Sequence, residues 1–361
     1  MRATGTCFVL TAFDVGFEID LARVGARLAA SRPETFKHKR GATDELGAAR
    51  QPLRFTRSIA PVAVQDGFTT TDRVEVAIYG FGSVCLTYAL PLDEELAGLA
   101  RTSSALYDNA TLIADARSRA RDVLEALGDA VKMPFLSEAV EDYVVYHLQP
   151  LALPLETLEN EAEPLAQALR AEEGPLSSNE IENALSGRIA YAPDELVLVD
   201  WFAALLIGEE MEDERRVLEL ATVELVELRF LDDRLERRLD EAYDLLAGSR
   251  LPFMGLSPHS RALGRLARFQ ADSAILHENF DNALKLLGDD YLARLYQVCS
   301  ERFHFSAWDA AIERKLQTLE SVYTKLSDLA ARRRSEILEW IIILLIAIDI
   351  LLYFTPLRGK S

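Results

Sequence analysis

The segment from Ile337 to Phe354, ILEWIIILLIAIDILLYF, constrains this chain more than any other: only Glu339 and Asp349 are charged among its 18 residues. Extended to Leu357, it reaches about the 20 residues that a bilayer core requires. Leu338 and Glu339 stand at its entry, with Trp340 near one end and Tyr353 near the other, the aromatic types that favour membrane interfaces. Arg332, Arg333 and Arg334 precede it, against Arg358 and Lys360 beyond it. The positive-inside rule then places the bulk of the chain in the cytoplasm. The expectation is a tail-anchored, single-pass protein with its transmembrane helix at 337–357. Asp349 would lie about 12 Å into the hydrocarbon by helical rise. An ionised carboxylate there costs at least about 2.5 kcal/mol, so it is expected protonated, paired with another chain, or facing a polar interface.

The rest of the chain is of a different character. Among 361 residues, 58 acidic against 39 basic side chains give a net charge of -19, which disfavours sequence-independent phosphate binding by the body. Direct sequence-specific nucleic-acid binding is not expected. Hydrophobic residues at 49% are enough to build a core despite that charge. Cys7, Cys85 and Cys299 form no C-x-x-C pair, so neither a disulfide framework nor a zinc site is indicated. No apolar leader opens the chain, and Asp14, Glu18 and Asp20 contradict an acid-poor transit peptide. These signs point to a bacterial cytoplasmic membrane.

The first part, 1–208, reads as α+β. Gly5 to Phe13 is rich in strand formers, and apolar residues at 19, 21, 24 and 28 predict a helix after it. Strands are predicted at 53–59, 74–79 and 82–90, the last two joined by a turn at Gly80-Phe81-Gly82 and the last closed by Pro91. A helix is predicted over 93–127, then a strand at 143–148, helical stretches around 155–171 and after Ser177 or Ser178, and strand-like residues at 195–207. Two rounds of strand, helix and strand predict a ferredoxin-like split βαβ arrangement. From Glu209 to Glu336, three apolar stripes at helical spacing predict a helical bundle or coiled-coil stalk.

No catalytic signature stands out. His277-Glu278 lacks the second histidine of H-E-x-x-H, and Gly80-Phe81-Gly82 reads as a hairpin turn rather than a phosphate cradle. No metal or cofactor is implied. Lys37, Lys39 and Arg40, with His38 between them, form the densest basic patch outside the C-terminus, a candidate anion or partner contact that is otherwise a solvated loop.

The last seventy or so residues carry a family resemblance. Tyr291-Leu292-Ala293-Arg294, Lys315-Leu316 with Leu319, and Arg334 followed by Leu338-Glu339-Trp340-Ile341-Ile342 and Asp349-Ile350 resemble the C-terminus of the required-for-meiotic-nuclear-division or YagE family. The resemblance implies a non-enzymatic, homo-oligomeric protein held at a membrane, with a ribosome as a partner and a link to translation there. Together with the residues it predicts a membrane scaffold or tether. The alternative is a membrane-attached hydrolase or nucleotide-binding enzyme with a pocket in residues 1–208.

Overall fold

In this computed structural model the described residues are 2–28, 51–64, 67–150, 160–247 and 290–354. Strand β1 (Arg2–Asp14) leads through β2 (Glu18–Ile19) to helix α1 (Leu21–Leu28). Strands β3 (Leu53–Ser58), β4 (Arg73–Ile78) and β5 (Ser83–Glu95) follow, then helices α2 (Leu99–Leu106) and α3 (Ala110–Leu127). Next come β6 (Val131–Lys132), β7 (Glu141–Leu148), α4 (Ala162–Arg170), α5 (Ser178–Ala184) and β8 (Arg188–Ile189). The hairpin β9 (Leu196–Val199) and β10 (Ala203–Ile207) precedes α6 (Glu212–Ala247), α7 (Asp290–Arg302) and α8 (Phe305–Phe354).

The ferredoxin-like expectation is corrected by the sheet, which has eight strands in the order β3-β4-β5-β1-β7-β10-β9-β8. Every neighbouring pair in it is antiparallel except β7 with β10. The reason lies in β1 and β5. Each runs for 13 residues and they pair along their whole length, from Arg2 with Glu95 to Asp14 with Ser83, so β1 becomes the centre of a wide meander. A split βαβ unit would instead need helical crossovers between parallel strands. Pro91 does not close β5. Pairing with β4 ends at Tyr88, so the proline sits where its missing N–H costs no ladder bond to β4. The predicted helix over 93–127 is divided accordingly into the end of β5 and the helices α2 and α3. Asn109 caps α3 by accepting from the Leu112 amide, and Ser177 caps α5 by accepting from Glu180.

Strand alternation gives the sheet two buried faces. Cys7, Val9 and Phe13 of β1, with Val76, Leu86, Tyr88, Val144, Tyr146 and Leu205, belong to one apolar core with Leu99, Leu112 and Leu165 of α2, α3 and α4. The opposite face carries Phe8, Leu10, Ala12 and Asp14, and it is the face that α6 covers. Between β4 and β5 the turn needs Gly82, whose φ is +115°, and a Cβ there would run into the Gly16 carbonyl. Gly82→Ala is therefore expected to lower stability by about 2 kcal/mol or more in chemical denaturation, from backbone strain and collision together.

The described chain separates into two compact units, 1–231 with 275–309, and 232–274 with 310–361. In the second unit, Lys315 of α8 pairs with Asp232 at 2.9 Å and Glu236 at 3.0 Å on the tail of α6, and Ile312, Leu319, Val322 and Tyr323 are buried.

The transmembrane assignment of 337–357 is also corrected: among the described residues no helix is long and apolar enough to cross a membrane. The apolar run is the last part of a 50-residue helix, it carries Glu339 and Asp349, and residues 355–357, needed to reach a bilayer's thickness, lie outside the described residues. The tail-anchored, single-pass reading and the cytoplasmic-membrane localisation fall with it. So do the anchor roles given to Leu338, Glu339, Trp340, Asp349 and Tyr353, and the topology role given to Arg332, Arg333 and Arg334.

Candidate functional site

Helix α6 crosses the second face of the sheet with charged side chains pointing inward. Glu219, less than 2% exposed, accepts from Arg54 of β3 at 2.8 Å and from the Tyr79 hydroxyl at 2.7 Å. One turn earlier, Arg215 donates to Glu75 of β4 at 2.7 Å and to Glu212 at 2.7 and 2.9 Å. Its guanidinium lies 4.7 Å over the Phe8 ring of β1, and its Nη1 finds no hydrogen-bond partner among the described residues. Sequence alternation explains the meeting. Arg54 and Ala77 are cross-strand partners and share a face, while Phe55 and Val76 share the opposite, apolar one. Residues 215, 219 and 222 recur on one face of α6 by helical spacing.

Two turns further on, α6 makes a second pair of contacts. The Ser83 hydroxyl donates to the buried Glu227 carboxyl, and Ser83 is the register partner of Asp14. Arg229 donates to Glu141, which opens β7. On the other side of the helix, Tyr296 of α7 donates to Glu224.

The electrostatics of the two groups differ. Burial acts to raise Glu219, but Arg54 beside it, aided by Arg215 and the Tyr79 hydroxyl, holds it below the ordinary carboxylate value. Burial also opposes the charge on Arg215, yet Glu75 and Glu212 keep its pKa raised. Burial pushes Glu227 up to about 8, against the smaller lowering effect of the Ser83 hydroxyl. Burial pushes Glu141 to about 7, because the half-exposed Arg229 offsets it only in part. Near neutral pH Glu219 therefore stays ionised beside Arg54 and Arg215, whereas burial favours the protonated form of Glu227. Burial also pushes the Cys7, Cys85 and Cys299 thiols far up, which removes the thiolate that nucleophilic or redox chemistry needs.

The charges of this seam are thus committed to one another, and the work it does is to seat α6 on the sheet in one register. The sequence reading missed it. The apolar stripe Val217, Ala221, Leu225 and Leu228 is buried, but so are Arg215, Glu219, Glu224 and Glu227 beside it. A warning signal existed in Arg54 of the strand LRFTRS, at a position facing a would-be core. Lys37, Lys39 and Arg40 lie outside the described residues. Leu338, Trp340 and Asp349 are exposed on α8, far along the chain from the seam, and Arg332 is exposed as well. Among the described residues no group of three or more metal-ligating side chains converges.

Comparison with known proteins places the match on the sheet. A family model described as "Uncharacterized protein MJ0711, N-terminal domain" matches residues 4–214. The uncharacterized protein MJ0711 of Methanocaldococcus jannaschii is 25% identical over 215 residues, or 59% of this chain. The matched part spans 66% of that relative, just under two thirds of its length. No solved structure matches. The resemblance to the required-for-meiotic-nuclear-division or YagE family is corrected by this result. It rested on the last seventy residues, and the match found covers the other end of the chain. The ribosome as partner and the link to translation rested on that resemblance alone and are not carried forward.

Proposed function

The chain belongs to the family defined by the N-terminal domain of uncharacterized protein MJ0711, and from that premise we propose that it is a self-associating scaffold whose α8 helices join copies of the chain. One observation carries this reading. From Ile337 to Leu351 the large apolar side chains of α8 stand 37 to 70% exposed on every side of the helix. A contiguous apolar surface of that extent marks a binding interface.

The occupant argued for is a second copy, because the spacing of α8 is that of a coiled coil. Leu316, Tyr323, Ile337, Leu344 and Leu351 share one heptad position, and Leu319, Trp340 and Ala347 the position three residues on. The first members of this seam are already in helical packing within the chain, where Leu319 and Tyr323 are buried. Ile341, Ile343, Ile348 and Ile350 flank the seam on both sides, which favours more than two helices over a pair. On this register Glu339 and Asp349 point away from the seam, where their carboxylates reach water.

Sedimentation velocity on the full chain at micromolar concentration tests the reading. Wild type is expected as a discrete oligomer, the double variant Leu344→Glu, Leu351→Glu as a monomer, and Asp349→Leu as an oligomer of unchanged size. A monomeric wild type, or an oligomer indifferent to both seam substitutions, would show that α8 does not join copies of this chain.

A further inference from the structure

Between the buried and the exposed parts of α8 the seam meets a run of positive charge. Ile312, Leu319, Val322 and Tyr323 are buried and the exposed apolar surface begins at Ile337, while Arg332, Arg333 and Arg334 take three successive helical positions just before it. In steps of seven residues onward from Leu319 or back from Trp340, position 333 falls on the seam itself. Ala330 holds the seam position before it and Ile337 the one after. Carboxylates serve these arginines unequally. Asp328 and Glu336 stand four residues to either side of Arg332, and all three are exposed. Arg333 has only Glu336 within that reach along the helix, three residues on, and Arg334 has Ala330, Ala331, Ile337 and Leu338 at the corresponding positions.

We propose that, when copies of the chain join through α8, this level of the seam becomes a binding site for a phosphate-type oxyanion; the inference rests on the self-association proposed above. In a parallel bundle equal heptad positions of the copies meet, and a residue at position 333 enters a hole formed by positions 330, 333, 334 and 337 of its neighbour. Each copy thereby brings Arg333 and Arg334 to one level, with a small residue at 330 and an apolar one at 337. None of the four positions carries a carboxylate. Like charges gathered in a seam oppose assembly. A doubly charged oxyanion removes that opposition, because guanidinium groups hold phosphate oxygens through paired, charge-assisted hydrogen bonds. The net charge of -19 repels anions from the chain at large, so capture belongs to this level of the bundle and not to a general attraction. Since the site forms only between copies, phosphate binding and assembly favour each other.

Sedimentation velocity on the full chain, in sodium phosphate and in sodium chloride of equal ionic strength, reads the association constant in each salt. At a phosphate concentration about ten times the site's dissociation constant, the wild-type association constant is expected to be about tenfold larger than in chloride. Arg333→Gln removes the seam charge. It is expected to assemble in chloride at least as readily as wild type and to lose the response to phosphate. Arg332→Gln, one position off the seam, should keep the response, and circular dichroism checks that both variants remain helical. Tripolyphosphate in place of phosphate distinguishes the source of the anion: a still larger response assigns the site to the phosphates of a longer ligand, an equal or smaller one to free phosphate. A wild-type oligomer indifferent to both anions, or a response undiminished in Arg333→Gln, overturns the anion site and leaves self-association standing. A wild type that stays monomeric in every salt overturns both.

Discussion

Replacing Glu219 by alanine is expected to cost this protein about 3–5 kcal/mol, more than removal of any single exposed ion pair in the chain. The loss comes from what stays behind. Arg54, which keeps a positive charge at any accessible pH, would remain 11% exposed without its 2.8 Å carboxylate, and the buried Tyr79 hydroxyl would lose its acceptor. Arg215 one turn away would lose a stabilising negative charge as well. Since the penalty is that of stranded charge, Arg54→Met combined with Glu219→Leu is expected to be distinctly milder than Glu219→Ala alone. Denaturant unfolding of Glu219→Ala, of the double variant and of its two singles, Arg54→Met and Glu219→Leu, decides it. A double variant as unstable as the sum of its singles would mean that Arg54 and Glu219 are not coupled, and the seam would lose its role in seating α6.

The second large effect is in the dependence of stability on pH. Glu227 and Glu141 bind protons more tightly in the folded chain, near 8 and 7, than the ordinary glutamate value of 4.5. For carboxyls raised in this way, the stabilisation is complete below the unfolded value and disappears as pH climbs through the folded one. Stability should therefore fall from about pH 5 to pH 8, by about 1.4 kcal/mol per pH unit for each proton held only by the folded state. Glu219 has the opposite sign. Its folded pKa is depressed, so its stabilisation is present above 4.5 and is lost as pH falls below that value. The two trends together place the optimum near pH 5. Glu227→Gln keeps an acceptor for Ser83 but cannot ionise, and thermal midpoints measured from pH 5 to 9 should fall less steeply for it than for wild type. An unchanged slope would show that Glu227 does not hold its proton beneath α6.

Both predictions depend on side chains that local patterns mark poorly. The strand of β1, the hairpin at Gly80-Phe81-Gly82, the strand at Tyr143 to Leu148 and a cap at Ser177 or Ser178 were legible because each follows from neighbours in sequence: alternation, a glycine turn, a capping hydroxyl. The sheet order was not. Two rounds of strand and helix fit a split βαβ unit as well as a meander, and only the full-length pairing of β1 with β5 distinguishes them. At the C-terminus an 18-residue run that includes two carboxylates predicts a membrane span, which the described helix does not support.

By itself the sequence determined the α+β character of the chain, most of its local elements, its acidity, and the apolar character of the last part of α8. Tertiary structure alone decided that Arg54, Glu219, Ser83 and Glu227 would meet, with separations of up to 165 residues between partners. The physical reason is that local propensity and periodicity act over a few residues, whereas the pairing of buried charges is set by strand order and by the register in which a helix comes to rest on a sheet.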